Sequence, residues 1–98
     1  TPLDAARREL RQELGPLAER WPELTRVDPF TANVLSPTQL SLAEGLAPTR
    51  ADPEGTERIR GVCLPLRTAC AFITQGKITH APTCVALLLA MDRRATSA

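Results

Sequence analysis

The stretch "SPTQLSLAEGLAPTRADPEGTERI", Ser36 to Ile59, decides how the chain is read. Taken at a helical period, it is two short helices and a turn, lying in a core or reading DNA. Ser36-Pro37-Thr38-Gln39 follows the capping-box pattern, serine first and glutamine three residues later. A helix over "PTQLSLAEGL" buries Leu40, Ala43 and Leu46, with Leu42 at its margin. "APTRA" is a turn, and Asp52-Pro53 starts the next element, since proline suits a first helical turn.

The segments on either side carry the same period. "TPLDAARRELRQELGPLAERW" opens with a cap at Thr1 and a first-turn proline at Pro2. Leu3, Leu10, Leu14, Leu17 and Trp21 form a stripe at heptad-like spacing, with arginines and glutamates on the other face. Asp4 precedes Arg8 by one helical turn, the favourable order for a weak ion pair. Gly15-Pro16 kinks this helix or restarts it. "PELTRV" reads as a connector, and "PFTANVL" as a short helix burying Phe30, Val34 and Leu35.

Beyond the opening stretch, Ile59, Cys63, Leu66, Cys70 and Ile73 recur at helical spacing, with Val62 and Ala69 widening the stripe. Pro65 lies inside it, so the spacing predicts a kinked helix or two helices meeting near Leu64-Pro65. Gly76 suits a helix C-terminus, and Thr79 the cap of a last helix over "APTCVALLLAMDRR". Val85, Leu88, Leu89 and Met91, with Ala81 and Ala86, make that helix apolar nearly all round. Arg93 and Arg94 sit at its negative dipole end. Burying Leu88 and Leu89 fully is worth roughly 3–6 kcal/mol, so they belong to a core or to an interface.

Composition agrees with a helical reading. The 98 residues suit one domain with a modest core. Aromatics are limited to Trp21, Phe30 and Phe72, which leaves leucine, alanine, valine and isoleucine to fill the interior. Net charge is +1, too weak a basic excess for a domain devoted to nonspecific nucleic-acid binding. "CVALLLAM" is far shorter than a membrane span. Three cysteines exclude a fully paired disulfide scaffold within one chain. Reduced thiols in a cell interior are the simpler account, with a disulfide from Cys84 to Cys63 or Cys70 left open. A start at threonine points to a domain cut from a longer protein or to a processed chain.

"TQLSLAEGLAPTRADPEGTERI" resembles the helix-turn-helix of phage-repressor-type domains, through Gln39, Leu42, Ala43, Thr49, Arg50 and Ile59. The resemblance covers about a fifth of the chain and implies DNA contacts from Arg50, Arg58 and Arg60 over residues 38–60. The chain departs from that pattern at the turn, where Ala47-Pro48 replaces a glycine able to take positive φ. Asp52-Pro53 interrupts the recognition helix, and Asp52, Glu54 and Glu57 oppose phosphates.

Chemistry-bearing residues are sparse. Cys63, Cys70, His80 and Cys84 are the only metal-ligand set, but no cysteine pair has the close spacing of structural zinc sites. A Cys/His nucleophilic pair from His80 with Cys70 or Cys84 lacks an adjacent orienting acid. No Gly-rich phosphate loop is present.

The sum predicts an all-α domain over residues 1–98: a compact bundle of five to six short helices with proline-marked turns. Its expected role is protein–protein association, as a non-enzymatic adaptor or regulatory module without cofactor or metal. The expected partner is another protein, a domain of the parent chain or a second copy, inside the cell. Leu3, Leu10, Leu14, Leu17, Trp21, Leu88 and Leu89 are the expected interface. The alternative is a DNA-binding domain using a degenerate helix-turn-helix.

Overall fold

A computed structural model describes residues 1–14, 17–29, 35–47 and 61–96, with Leu14 described in its backbone only. The fold is mixed α/β, not an all-helical bundle. Among the described residues there are three helices and two antiparallel two-stranded sheets. In chain order these are α1 (Pro2–Leu14), β1 (Leu17–Arg20), β2 (Glu23–Val27), β3 (Thr38–Ser41), β4 (Glu44–Ala47), α2 (Leu66–Thr74) and α3 (Ala81–Thr96). They sort into two compact units. One comprises Thr1–Pro22 and Ala43–Cys63, the other Glu23–Leu42 and Leu64–Ala98.

The expected helices over 17–21 and 37–46 are corrected to strands. The connector "PELTRV" is corrected likewise, to β2. The reason lies in the prolines. Pro16, Pro22, Pro29, Pro37 and Pro48 divide the segment into short pieces. A proline disfavours helical conformations at the residue before it, and short isolated helices are marginal in water. Strand pairing satisfies the same backbone groups across the chain instead of along it. A proline therefore marks a strand boundary here as readily as a first helical turn. Ser36 does not cap a helix. Its N–H donates to Asp28 Oδ1 at 3.2 Å, closing the chain just before β3 begins.

In the first unit, Thr1 caps α1 as its sequence predicts. Thr1 Oγ1 accepts from the Asp4 N–H at 3.1 Å, and the Thr1 carbonyl from the Ala5 N–H at 3.0 Å. The helix packs against β1, which pairs with β4 in the register Leu17↔Ala47, Ala18↔Leu46 and Arg20↔Glu44. Gly45 has φ +68, and a Cβ there would lie 2.9 Å from the Cβ of Glu19. Only glycine accommodates both the left-handed backbone and the approach of β1.

The second unit is a β-hairpin backed by a helical hairpin. β2 and β3 pair as Glu23↔Ser41, Thr25↔Leu40, Arg26↔Gln39 and Val27↔Thr38. The register shifts between Glu23 and Thr25, making Leu24 the extra residue of a bulge. α3 packs on both strands and on α2. Leu40 and Ala90, each 8% exposed, and Pro82 are the buried residues among those described. α2 does not continue back through Cys63. Gly61–Pro65 is non-helical, and Val62, Cys63 and Leu64 are exposed, so the stripe from Ile59 to Ile73 is cut at Pro65. Residues 53–60 of that expected helix lie outside the described residues.

The end of α2 follows the sequence closely. Gly76 has φ +73, its N–H donates to the Ile73 carbonyl, and the Lys77 N–H donates to the Phe72 carbonyl. These two bonds form a Schellman motif. The next turn leads into α3, whose first backbone bond runs from the Cys84 N–H to the His80 carbonyl. His80, not Thr79, is thus the residue flanking α3, and its Nδ1 lies 2.7 Å from Thr83 Oγ1. The Cys70 thiol reaches across to the Leu87 carbonyl at 3.6 Å, tying α2 to α3.

Candidate functional site

The hairpin and α3 of the second unit do not close on each other completely. Between them lies a groove of about 350 Å³. One wall is the hairpin's apolar side, with Leu24, Leu40 and Leu42. The bulge supplies Leu24: an extra residue re-aims the side chains around it. The other wall is α3. Pro82, Ala86 and Ala90 recur every four residues and so share one helix face. Leu87 flanks that face, and Leu66 at the start of α2 adds to the lining. Small side chains on α3 keep the groove open where leucines would fill it.

Four polar residues also line the groove. Thr38 and Ser41 come from β3, and His80 and Thr83 from the start of α3. Among the described residues, no buried side-chain nitrogen or oxygen lacks a hydrogen-bond partner. The groove's lining is largely apolar with a few polar side chains, the usual make-up of a small-ligand site.

The residues singled out from sequence are not gathered into one site. Leu3 and Leu10 are half-buried on α1, and Leu14 belongs to the same helix. Leu17 is in β1, not in that helix, and is 46% exposed. It meets Arg7, Ala18 and the half-buried Trp21 around a small recess of about 80 Å³. In the other unit, Leu88 is 53% exposed on α3, while Leu89 is half-buried. The apolar stripe expected to run from Leu3 through Trp21 on one helix is therefore broken by the change to strand at Leu17.

The helix-turn-helix reading is corrected as well. Its first helix, expected across residues 38–46, is instead β3, a two-residue link and β4. Arg50, Arg58 and Arg60 lie outside the described residues, as do Thr49 and Ile59. The three thiols are unpaired: Cys63 is exposed, and Cys70 and Cys84 are half-buried. The Cys84 thiol donates to the Ile78 carbonyl at 3.6 Å. Among the described residues no three His, Cys, Asp or Glu side chains form a metal-holding cluster. No helix among them is long and apolar enough to cross a membrane.

Sequence reading placed Leu40 in a helical core with Leu42 at its margin, and missed Leu24, Leu87 and Ala90 as groove residues. One signal was available. Thr25, Val27 and Thr38 are β-branched residues clustered between prolines, a composition that favours strand over helix. The chain matches no protein-family model and no curated protein sequence.

Proposed function

We propose that the chain is a non-catalytic binding module that takes a small, largely apolar ligand into the groove between the β2–β3 hairpin and α3. One observation supports this above the others. A groove of about 350 Å³ is lined by leucines on one wall and by a small-residue helix face on the other. Its size falls in the range that encloses small molecules. The non-catalytic reading rests on the sequence, which has no Gly-rich phosphate loop and no orienting acid beside the Cys/His pair. Three unpaired thiols suit a reducing compartment, so the proposed location is inside a cell.

The test uses N-phenyl-1-naphthylamine, a neutral fluorophore that brightens in apolar surroundings. It should bind the chain saturably. Ala86→Phe, which fills the groove from α3, should abolish that binding while leaving the far-ultraviolet spectrum unchanged. Equal binding by both proteins would place the fluorophore elsewhere and remove the reading.

A second surface is proposed on the exposure of Leu88. It is offered to another protein, a domain of the parent chain or a second copy, with Leu89 beside it. The half-buried Leu3 and Leu10 of α1, and Leu14, Leu17 and Trp21 after them, are offered in the same way. Sedimentation of Leu88→Asp tests the second-copy case: a mass that drops from dimer to monomer supports it, and a monomer in both proteins removes it.

A further inference from the structure

A second recess of about 540 Å³ lies in the same unit and is bordered by Arg67, Met91, Arg94 and Ala95. It shares Leu66 with the apolar groove. The two also meet along one ridge of α3, which winds about a third of a turn round the helix between Pro82 and Arg94. Arg94 follows Ala90 by four residues, as Ala90 follows Ala86 and Ala86 follows Pro82. At about 1.5 Å per residue, this line from Pro82 to Arg94 is roughly 18 Å long. It is apolar until its last turn, where it meets positive charge.

Resting on the groove as a ligand site, we propose that its occupant is a single-chain amphiphile with a carboxylate head. The chain lies along Pro82, Ala86 and Ala90, and the head is held by Arg67 and Arg94. Charge complementarity selects the head. Neither arginine makes an ion pair or hydrogen bond among the described residues, while four other ion pairs form there. Guanidinium stays charged at every physiological pH, and its planar fork matches a carboxylate. The opposite end of the groove has no arginine or lysine in its lining.

The occupant is a lipid-sized molecule and not a peptide helix, because about 350 Å³ of apolar space holds a chain or a ring system. A monoanion is favoured over a dianion. The recess lies at the C-terminal, negative end of the α3 dipole, with the exposed Asp92 in the same turn. Both arginines are exposed, so their grip on the head is modest and weakens with salt.

The experiment displaces N-phenyl-1-naphthylamine from the whole chain with decanoate, decanol or decyl phosphate, each below its micelle concentration. Decanoate should displace it about fivefold more tightly than decanol at low salt, the factor that two exposed charge contacts supply. That advantage should vanish in Arg67→Gln/Arg94→Gln and shrink in high salt, while decanol is unaffected by either change. Equal displacement by decanoate and decanol overturns the proposal, as does an advantage that survives the double substitution. Tighter displacement by decyl phosphate overturns the choice of carboxylate. In each of these cases the fluorophore still binds, and the apolar groove stands. A fluorophore that does not bind, or binds equally after Ala86→Phe, overturns the groove and this proposal together.

Discussion

α1 and α3 make opposite use of their leucines. α1 has the clean amphipathic pattern, with one apolar stripe and a charged remainder. Yet each of its described side chains is half-buried or exposed. α3 is apolar nearly all round and includes two of the three buried residues. The difference lies in what each helix meets. α1 packs against β1, a strand of four residues, whereas α3 is backed by two strands and α2. Helical periodicity tells which face is apolar. It does not tell how much complementary surface the rest of the chain supplies to cover it.

Truncations sharpen this contrast most. Leu40→Ala removes a buried side chain facing α3 and should cost about 2–3 kcal/mol in urea unfolding. Leu10→Ala trims a half-buried side chain on α1 and should cost about 1 kcal/mol or less. Equal losses would mean that α1 is as firmly packed as the hairpin, and the contrast would fall.

The two left-handed glycines come next. Gly45→Ala meets both the strain of φ +68 and the Glu19 side chain 2.9 Å away. It should destabilise by about 2 kcal/mol or more. Gly76→Ala meets open space at φ +73, so only backbone strain of about 1 kcal/mol applies. Thermal unfolding of both variants checks the order, and a reversal would show that β1 and β4 do not approach as closely as described.

The smallest effect concerns the start of α1. The Thr1 hydroxyl, and then the neighbouring amino group, hold the Asp4 carboxyl below its ordinary value of 3.8. A lowered folded-state value stabilises the charged form, so the contribution is present at neutral pH. It is lost as pH falls through the carboxylate range. Helicity measured from neutral to acid pH should show slight fraying of α1 that Thr1→Ala reduces. An identical acid response in both proteins would leave the cap without effect.

How far the sequence foretold this molecule follows from particular residues. Thr1-Pro2 marked the start of α1, and Gly76 the end of α2, because caps are local chemistry. α3 was legible because a long apolar run with Pro82 in its first turn and arginines in its last has few alternatives. The strands were not legible. Each is four or five residues long, and its partner lies far along the chain. Leu40, Ala43 and Leu46 also fit a helical period, so the same leucines served two readings. The groove was hidden for the same reason. One wall is made by a bulge at Leu24, and a bulge exists only once pairing is known.

The nesting of the strand pairs bears on how the chain closes. β2–β3 lies inside β1–β4 along the chain, separated from it by Trp21-Pro22 on one side and Leu42-Ala43 on the other. Joining Leu17 to Ala47 directly from an open chain closes a long loop, whereas joining them after the inner strands have met closes a short one. Loop-closure entropy thus favours closure from the Asp28–Ser36 contact outward. The glycine that β4 needs opposite Glu19 comes into play only at the last step.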